Sequence, residues 1–261
     1  MAIKTIIFDL DGVLYRGDEI ITGSIETIKK LKSLGIKTYF LTNAGTLSRK
    51  GRAKKLRSLG FEIPDDEVFT SSYGIGAYLS SIKKNPSVYC IGEAGLKEEL
   101  SSFGAYLTEK NTDFVVVGLD REFTYKKLNI ALQNIINGAK FIATNGDATF
   151  PVENNKIMPG CGSIVSSVAY CSKINPHIIG KPNAYLLDMI ISDSKSKRDE
   201  ILLIGDRIET DVFLAKKAKI KSALVLSGVS TRNDLEKLKE EEKPDYLLNS
   251  ILGIFNIPHL L

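Results

Sequence analysis

The chain has 261 residues, 43% of them hydrophobic and 25% charged, so a folded core in one large domain or two modest ones is expected and disorder is not. Its formal charge is +4, with Lys and Arg interspersed among Asp and Glu, an excess too small to argue for nucleic-acid binding. The cysteines Cys90, Cys161 and Cys171 form no CxxC pair, and only His177 and His259 could add imidazole ligands, so free buried thiols in a reducing cytosol are expected rather than a zinc site.

Met1-Ala2-Ile3-Lys4 runs straight into a strand-like segment rather than the apolar core of a signal peptide. No apolar run approaches the ~18 residues that span a bilayer. A cytoplasmic location and no membrane partner are the default expectations. Thr5 to Leu10 is a short β-branched and aromatic run, as for a strand buried on both faces, and Asp11-Gly12 breaks it. Ile25, Ile28, Leu31 and Leu34 fall at helical spacing, and Gly35 stops that helix. Ile36 to Leu41 reads as a second strand ending at Thr42-Asn43, and Ser48 to Leu59 as a basic helix stopped by Gly60. Strand, helix, strand, helix points to a parallel sheet with crossover helices.

A different segment, roughly 81–177, has its own strand-like runs at Ser87 to Ile91, Phe114 to Leu119 and Lys140 to Thr144, and a helical pattern over Tyr125 to Ile136. It reads as a small α/β unit inserted in the first. Pro159-Gly160-Cys161-Gly162-Ser163 lacks the Lys-[Ser/Thr] of a phosphate-binding P-loop and reads as a loop before a helix from Ile164. The first pattern resumes with the run Ile201 to Ile204, a helix from Asp211 to Lys217 and a strand from Ser222 to Leu226. Glu236 to Lys243 reads as a charged helical face, and Pro244 to Leu248 as a last edge strand. The fold expected is therefore α/β, a Rossmann-like doubly wound parallel sheet in residues 1–80 and 178–261 with an α/β unit inserted at 81–177.

The unusual residues sit at strand ends, where open parallel sheets bind ligands. Asp9 and Asp11 end the first strand, Thr42 and Asn43 the second, and Asp206 a third with Asp211 close behind; Lys181 precedes a helix. Singly, each has a structural reading. Asp-x-Asp-Gly makes turns, Thr-Asn caps helices, and a lone lysine is ordinary surface. Together they form a chemical set. Carboxylates suit Mg²⁺, a carboxylate can attack phosphorus, a second can shuttle the proton, and a lysine and a hydroxyl can hold phosphoryl charge.

Asp9-Leu10-Asp11-Gly12-Val13-Leu14 resembles the first motif of the haloacid dehalogenase superfamily. Thr42, Lys181 and Gly205-Asp206-Arg207-Ile208-Glu209-Thr210-Asp211 resemble its second, third and fourth motifs, in the same order. The inserted unit between motifs two and three, Gly118-Leu119-Asp120 with Phe123 to Leu128, and Gly228-Val229-Ser230 are similar to the large-cap subgroup that includes NagD and the phosphoglycolate and pyridoxal phosphate phosphatases.

The resemblance implies a Mg²⁺-dependent phosphatase acting on small phosphate monoesters, p-nitrophenyl phosphate included. It implies Asp9 as nucleophile and metal ligand, Asp11 as general acid/base with its carbonyl on the metal, and Asp206 as the third ligand, with Asp211 supporting from outside. Thr42 and Asn43 would contact substrate, and Lys181 would neutralise Asp9 and the phosphate. Asn145 and Asp147, in Thr144-Asn145-Gly146-Asp147, align with a specificity loop. A second asparagine often found after Asn43 is Ala44 here, which removes a side-chain contact. Caps of this kind also mediate homodimers. A receiver-type phospho-switch lacks the Asp-x-Asp and the insertion, and carbon–halogen hydrolases lack the second aspartate. The substrate stays open among phosphoglycolate, glycerol phosphate, sugar phosphates, pyridoxal phosphate and nucleotides.

Overall fold

The computed structural model describes residues 2–152, 156–258 and 260. Two compact units are present. The first comprises Met1–Thr42, Ala53–Val68 and Lys181–Leu261, and the second Asn43–Arg52 and Phe69–Gly180.

In chain order the first unit begins with β1 (Thr5–Phe8), the hairpin strands β2 (Tyr15–Arg16) and β3 (Glu19–Ile20), α1 (Ser24–Ser33) and β4 (Lys37–Thr42). Helix α2 (Arg49–Ser58) and strand β5 (Val68–Thr70) follow, each running across the boundary between the units. After the second unit come α7 (Tyr185–Ser194), β13 (Ile201–Gly205), α8 (Phe213–Ala218), β14 (Lys221–Val225), α9 (Arg232–Glu236) and β15 (Tyr246–Leu248). The sheet order is β15-β14-β13-β1-β4-β5. The pairs β1/β4, β1/β13, β13/β14 and β14/β15 are parallel. All four residues of β1 are buried, as the uninterrupted apolar run requires when helices cover both faces of a sheet. The chain builds outward from β1 through β4, then returns to lay β13 on its other side. The two directions part between β1 and β13, the topological switch point where doubly wound sheets bind ligands.

Two expected helices differ. The segment expected as Asp211 to Lys217 opens with a π-turn over Ile208–Val212, where the N–H groups of Asp211 and Val212 both reach the Arg207 carbonyl at 3.0 and 3.3 Å. The Asp211 carboxylate accepts the Arg207 N–H at 3.1 Å and so competes with regular helix for that backbone. The charged stretch Glu236 to Lys243 is not one helical face. Helix α9 ends at Glu236, and a separate 3₁₀ turn spans Glu240–Glu242. There the Glu242 carboxylate accepts the Lys239 N–H at 3.1 Å, and Pro244 disfavours helix at Lys243.

The second unit contains α3 (Ser71–Ile82), β6 (Ser87–Ile91), α4 (Ala94–Ser102), β7 (Tyr106–Leu107), β8 (Phe114–Val117), α5 (Tyr125–Ile136), β9 (Lys140–Ala143), the antiparallel hairpin β10 (Thr149–Val152) and β11 (Lys156–Pro159), α6 (Cys161–Ser172) and β12 (His177–Ile178). Its five-stranded sheet runs β12-β9-β8-β6-β7 in parallel pairs. Helix α6 starts at Cys161, within the stretch expected as loop. Among the described residues no helix is long and apolar enough to cross a membrane.

Candidate active site

The site is built at the switch point. The ladder continues one residue beyond β1, where the Asp9 N–H donates to the Ile204 carbonyl at 2.8 Å. That bond fixes the backbone from which the Asp9 side chain projects. Asp206 follows the last residue of β13, and Asp211 is carried by the π-turn. Ligand atoms of Asp9, Asp206 and Asp211 lie within 4.8 Å of one another, and all three residues are buried. Lys181, also buried, enters from the segment before α7. Its Nζ donates to Asp9 Oδ1 and to Asp211 Oδ1, both at 2.6 Å.

Three buried carboxylates around one ammonium leave the cluster short of positive charge. Burial raises the Asp9 pKa well above the ordinary aspartate value, against the pull of Lys181 and with the push of Asp211 and Asp206. Burial, then the charge of Asp211, raises Asp206 to about 7 despite the Val229 N–H that it accepts. For Lys181 burial works against the ammonium, but the charges of Asp211 and Asp9 overcome it and hold its pKa above the usual lysine value. Hard oxygen donors with a deficit of positive charge fit a divalent cation of the Mg²⁺ or Ca²⁺ kind. The acidic cluster can therefore hold a metal.

Asp11 is half-buried in the turn after β1. Its backbone bridges to Tyr15, and the Gly12 N–H donates to the Tyr15 carbonyl at 2.8 Å. The trio of close carboxylates does not include Asp11. Thr42 closes β4 and is buried; it lies two residues beyond Phe40, the register partner of Phe8. Asp9, Thr42 and Asp206 thus share the carboxyl ends of three adjacent strands.

Two glycines press on Asp206. Gly12 has φ +80°, and a Cβ there would lie 2.5 Å from Asp206 Oδ2; at Gly228 it would lie 2.1 Å from the same oxygen. Neither position admits a side chain while Asp206 holds its place. The Val229 N–H donates to Asp206 Oδ2 at 2.8 Å, and the Ser230 N–H to the Asp206 carbonyl at 3.0 Å. Gly228-Val229-Ser230 is legible in the sequence as a motif, but its backbone grip on Asp206 is not, since any residue supplies an N–H.

Asn43, Asn145 and Asp147 gather within the second unit. Asn43 Nδ2 donates to both Asp147 carboxylate oxygens at 3.3 Å, and Asn145 Nδ2 to Asp147 Oδ2 at 2.6 Å. Thr144 Oγ1 donates to Asn145 Oδ1 at 2.8 Å. The loop bearing Asn43 is held in this unit by Ser71, whose hydroxyl donates to the Asn43 carbonyl at 2.7 Å. Cys90, Cys161 and Cys171 are free thiols. His177 stacks on Tyr78 at 5.0 Å between ring centroids, whereas His259, named above as an imidazole source, lies outside the described residues.

Residues 6–106 match the model of the haloacid dehalogenase-like hydrolase family, and 178–254 match a second, HAD-hydrolase-like model. Phosphoglycolate phosphatase 1A of Arabidopsis thaliana is 34% identical, over 96% of this chain and 76% of its own length. The 5'-nucleotidase YutF of Bacillus subtilis is also 34% identical, over 95% and 96%. The crystal structure of a 4-nitrophenylphosphatase from Thermotoga maritima superposes with a TM-score of 0.92 at 32% identity, covering 98% of this chain and 97% of that one.

Proposed function

The chain belongs to the haloacid dehalogenase-like hydrolases and is a phosphatase, and from that premise we propose that it is a Mg²⁺-dependent enzyme cleaving small phosphate monoesters through a phospho-aspartyl intermediate on Asp9. The observation that carries this reading is the buried Lys181 ammonium bonded at 2.6 Å to both Asp9 and Asp211, inside a trio of carboxylates at the sheet's switch point.

The Asp9 carboxylate attacks phosphorus while the bond to the leaving oxygen breaks. Asp11 gives its proton to that oxygen. It then takes a proton from the water that attacks the aspartyl phosphate, releasing inorganic phosphate and free Asp9. Lys181 favours the ionised form of Asp9 against the stronger pull of burial and, with Thr42, holds the phosphoryl oxygens as charge spreads over them. The carboxylates of Asp9 and Asp206 and the carbonyl of Asp11 would hold Mg²⁺, which supplies charge neutralisation and orientation of the phosphate. Asp211 supports from outside, because one of its oxygens accepts Lys181 and the other the Arg207 N–H.

Residues 81–177 act as the cap, and Asn145 and Asp147, with Asn43, contact the leaving group. The two relatives above are named for different substrates at the same identity, so overall similarity does not select among phosphoglycolate, nucleotides and other monoesters. A cytoplasmic enzyme, homodimeric through the cap, completes the reading. The test is rapid acid quench during turnover of p-nitrophenyl phosphate, followed by peptide mapping. A phosphorylated Asp9 peptide is expected with Mg²⁺ and none with excess EDTA. Turnover with no covalent phosphate on the chain would overturn the mechanism.

A further inference from the structure

The grip on Asp206 is itself held from a distance. The loop 226–230 donates the Val229 N–H to the Asp206 carboxylate and the Ser230 N–H to the Asp206 carbonyl. Two contacts at Ser227 tie that loop to the turn after β1 and to its hairpin. The Ser227 hydroxyl donates to the Gly12 carbonyl at 2.7 Å, which ties the loop to the turn that carries Asp11. The Ser227 carbonyl accepts Arg16 Nε at 2.7 Å and also Arg16 Nη2. Arg16 sits on β2, in the hairpin that follows the turn directly, 211 positions away from Ser227. A planar fork closing on one carbonyl is a charge-assisted contact with defined direction. At the far end of the same loop, Ser230 Oγ accepts the Ile208 N–H at 3.1 Å. The loop is thus anchored at both ends, and Gly228 lies between the anchors against the Asp206 carboxylate.

We infer that Arg16 is a positioning residue for the metal centre: it latches the 226–230 loop over Asp206 and through that loop fixes the carboxylate that would hold the ion. This rests on the assignment of Asp206 as a ligand. Arg16 donates to the Ser227 carbonyl, so its effect on the Asp206 carboxylate travels through the loop backbone. Residues that orient a ligand from outside typically change metal affinity roughly 10–100-fold when lost. Losing Arg16 leaves the hairpin attached on its other side, where Lys55 Nζ donates to the Gly17 carbonyl at 3.0 Å and pairs with Asp18 at 2.8 Å. Arg16→Ala is therefore expected to fold.

Two measurements on the full chain test this. Hydrogen exchange of the Val229 and Ser230 amides in metal-free protein reads the latch alone. Binding of Mn²⁺, followed by the electron paramagnetic resonance of the free ion, reads the centre, with Asp206→Asn as reference. In Arg16→Ala, both amides are expected to exchange faster and Mn²⁺ affinity to fall about tenfold, with Tm within a few degrees of wild type. Arg16→Lys, which keeps the charge but loses the fork, is expected to recover only part of the affinity. Unchanged exchange would overturn the latch. Faster exchange with unchanged Mn²⁺ affinity, while Asp206→Asn loses it, would overturn the positioning role and leave the metal reading standing. A loss of affinity that follows the unfolded fraction would likewise overturn it. If Asp206→Asn binds Mn²⁺ as wild type does, the assignment of Asp206 fails and the inference falls with it.

Discussion

Lys181 is the side chain on which the centre's charge balance turns. Removing one member of a buried ion pair leaves its partners uncompensated, and here two carboxylates lose their shared donor at once. Lys181→Ala is expected to lower kcat on p-nitrophenyl phosphate by about 10²–10³-fold, the scale for one preorganised donor. Lys181→Arg is expected not to restore it fully, because a planar fork cannot reproduce a compact ammonium in a fully packed position. Steady-state kinetics check both. Asp11 lies outside the close carboxylate trio and half-exposed, a setting in which a carboxyl group can exchange protons. Asp11→Asn is expected to lose roughly 10²–10⁴-fold on alkyl phosphates and markedly less on p-nitrophenyl phosphate, whose oxygen departs unprotonated. Equal losses on the two substrate types would contradict the acid role.

At the scale of elements, the turn after β9 carries a buried polar cluster in the second unit. Its Asp147 accepts from both Asn145 and Asn43, so the three side chains act as one network. Single removals in such a network disturb the rest. Asn145→Ala and Asp147→Ala are expected to reorder kcat/KM across a panel of phosphate monoesters more than they change p-nitrophenyl phosphate turnover. An unchanged ranking in both variants would remove this turn from substrate selection. Helix α3 shows how an element can hide. Its sequence is rich in Ser and Gly, poor helix formers, and it is held by the Thr70 hydroxyl accepting the Tyr73 N–H at 3.1 Å and by packing on α4. Thr70→Ala is expected to cost ~1 kcal/mol of stability, read by denaturant unfolding.

Over the whole molecule, the centre should make stability depend on pH and metal together. Asp206 is raised to about 7 and Asp9 is raised too, so the folded metal-free protein holds protons that the unfolded chain has released. Between the ordinary aspartate range near ~4 and about 7, the native state binds more protons, and stability falls as pH rises. The contribution is fully present below the unfolded pKa and lost as pH passes the folded value. Metal-free protein is therefore expected to gain Tm relative to Asp206→Asn as pH drops from 7.5 to 5, on the order of a few degrees. Mg²⁺ should raise the Tm of wild type most at the upper end of that range, where the carboxylates are ionised and proton competition ends. Thermal scans of both proteins, with and without Mg²⁺, decide this. A pH-independent difference between them would contradict the raised Asp206.

The sequence by itself carried the doubly wound α/β class, since strands buried in a parallel sheet read as short apolar runs, as in Ile6 to Phe8 and Ile201 to Ile204, alternating with helical patterns. It also placed Asp9, Asp11, Thr42, Lys181, Asp206 and Asp211 at strand ends and loops, because polar groups interrupt those runs where the strands stop. Helix α5 was legible to the residue, as its apolar period and Thr124 cap agree. Other features were not legible. Nothing local says that Asp211 belongs to a π-turn; that follows from its carboxylate taking the Arg207 N–H and from Lys181, 30 positions away. Nor does any local pattern join Arg16 to Ser227 or seat Gly228 on Asp206, because backbone donors and acceptors look alike in every sequence. Which residues exist to do chemistry is a matter of side-chain type and order. Which of them share one buried charge, and what presses them there, is decided only when distant strands lie side by side.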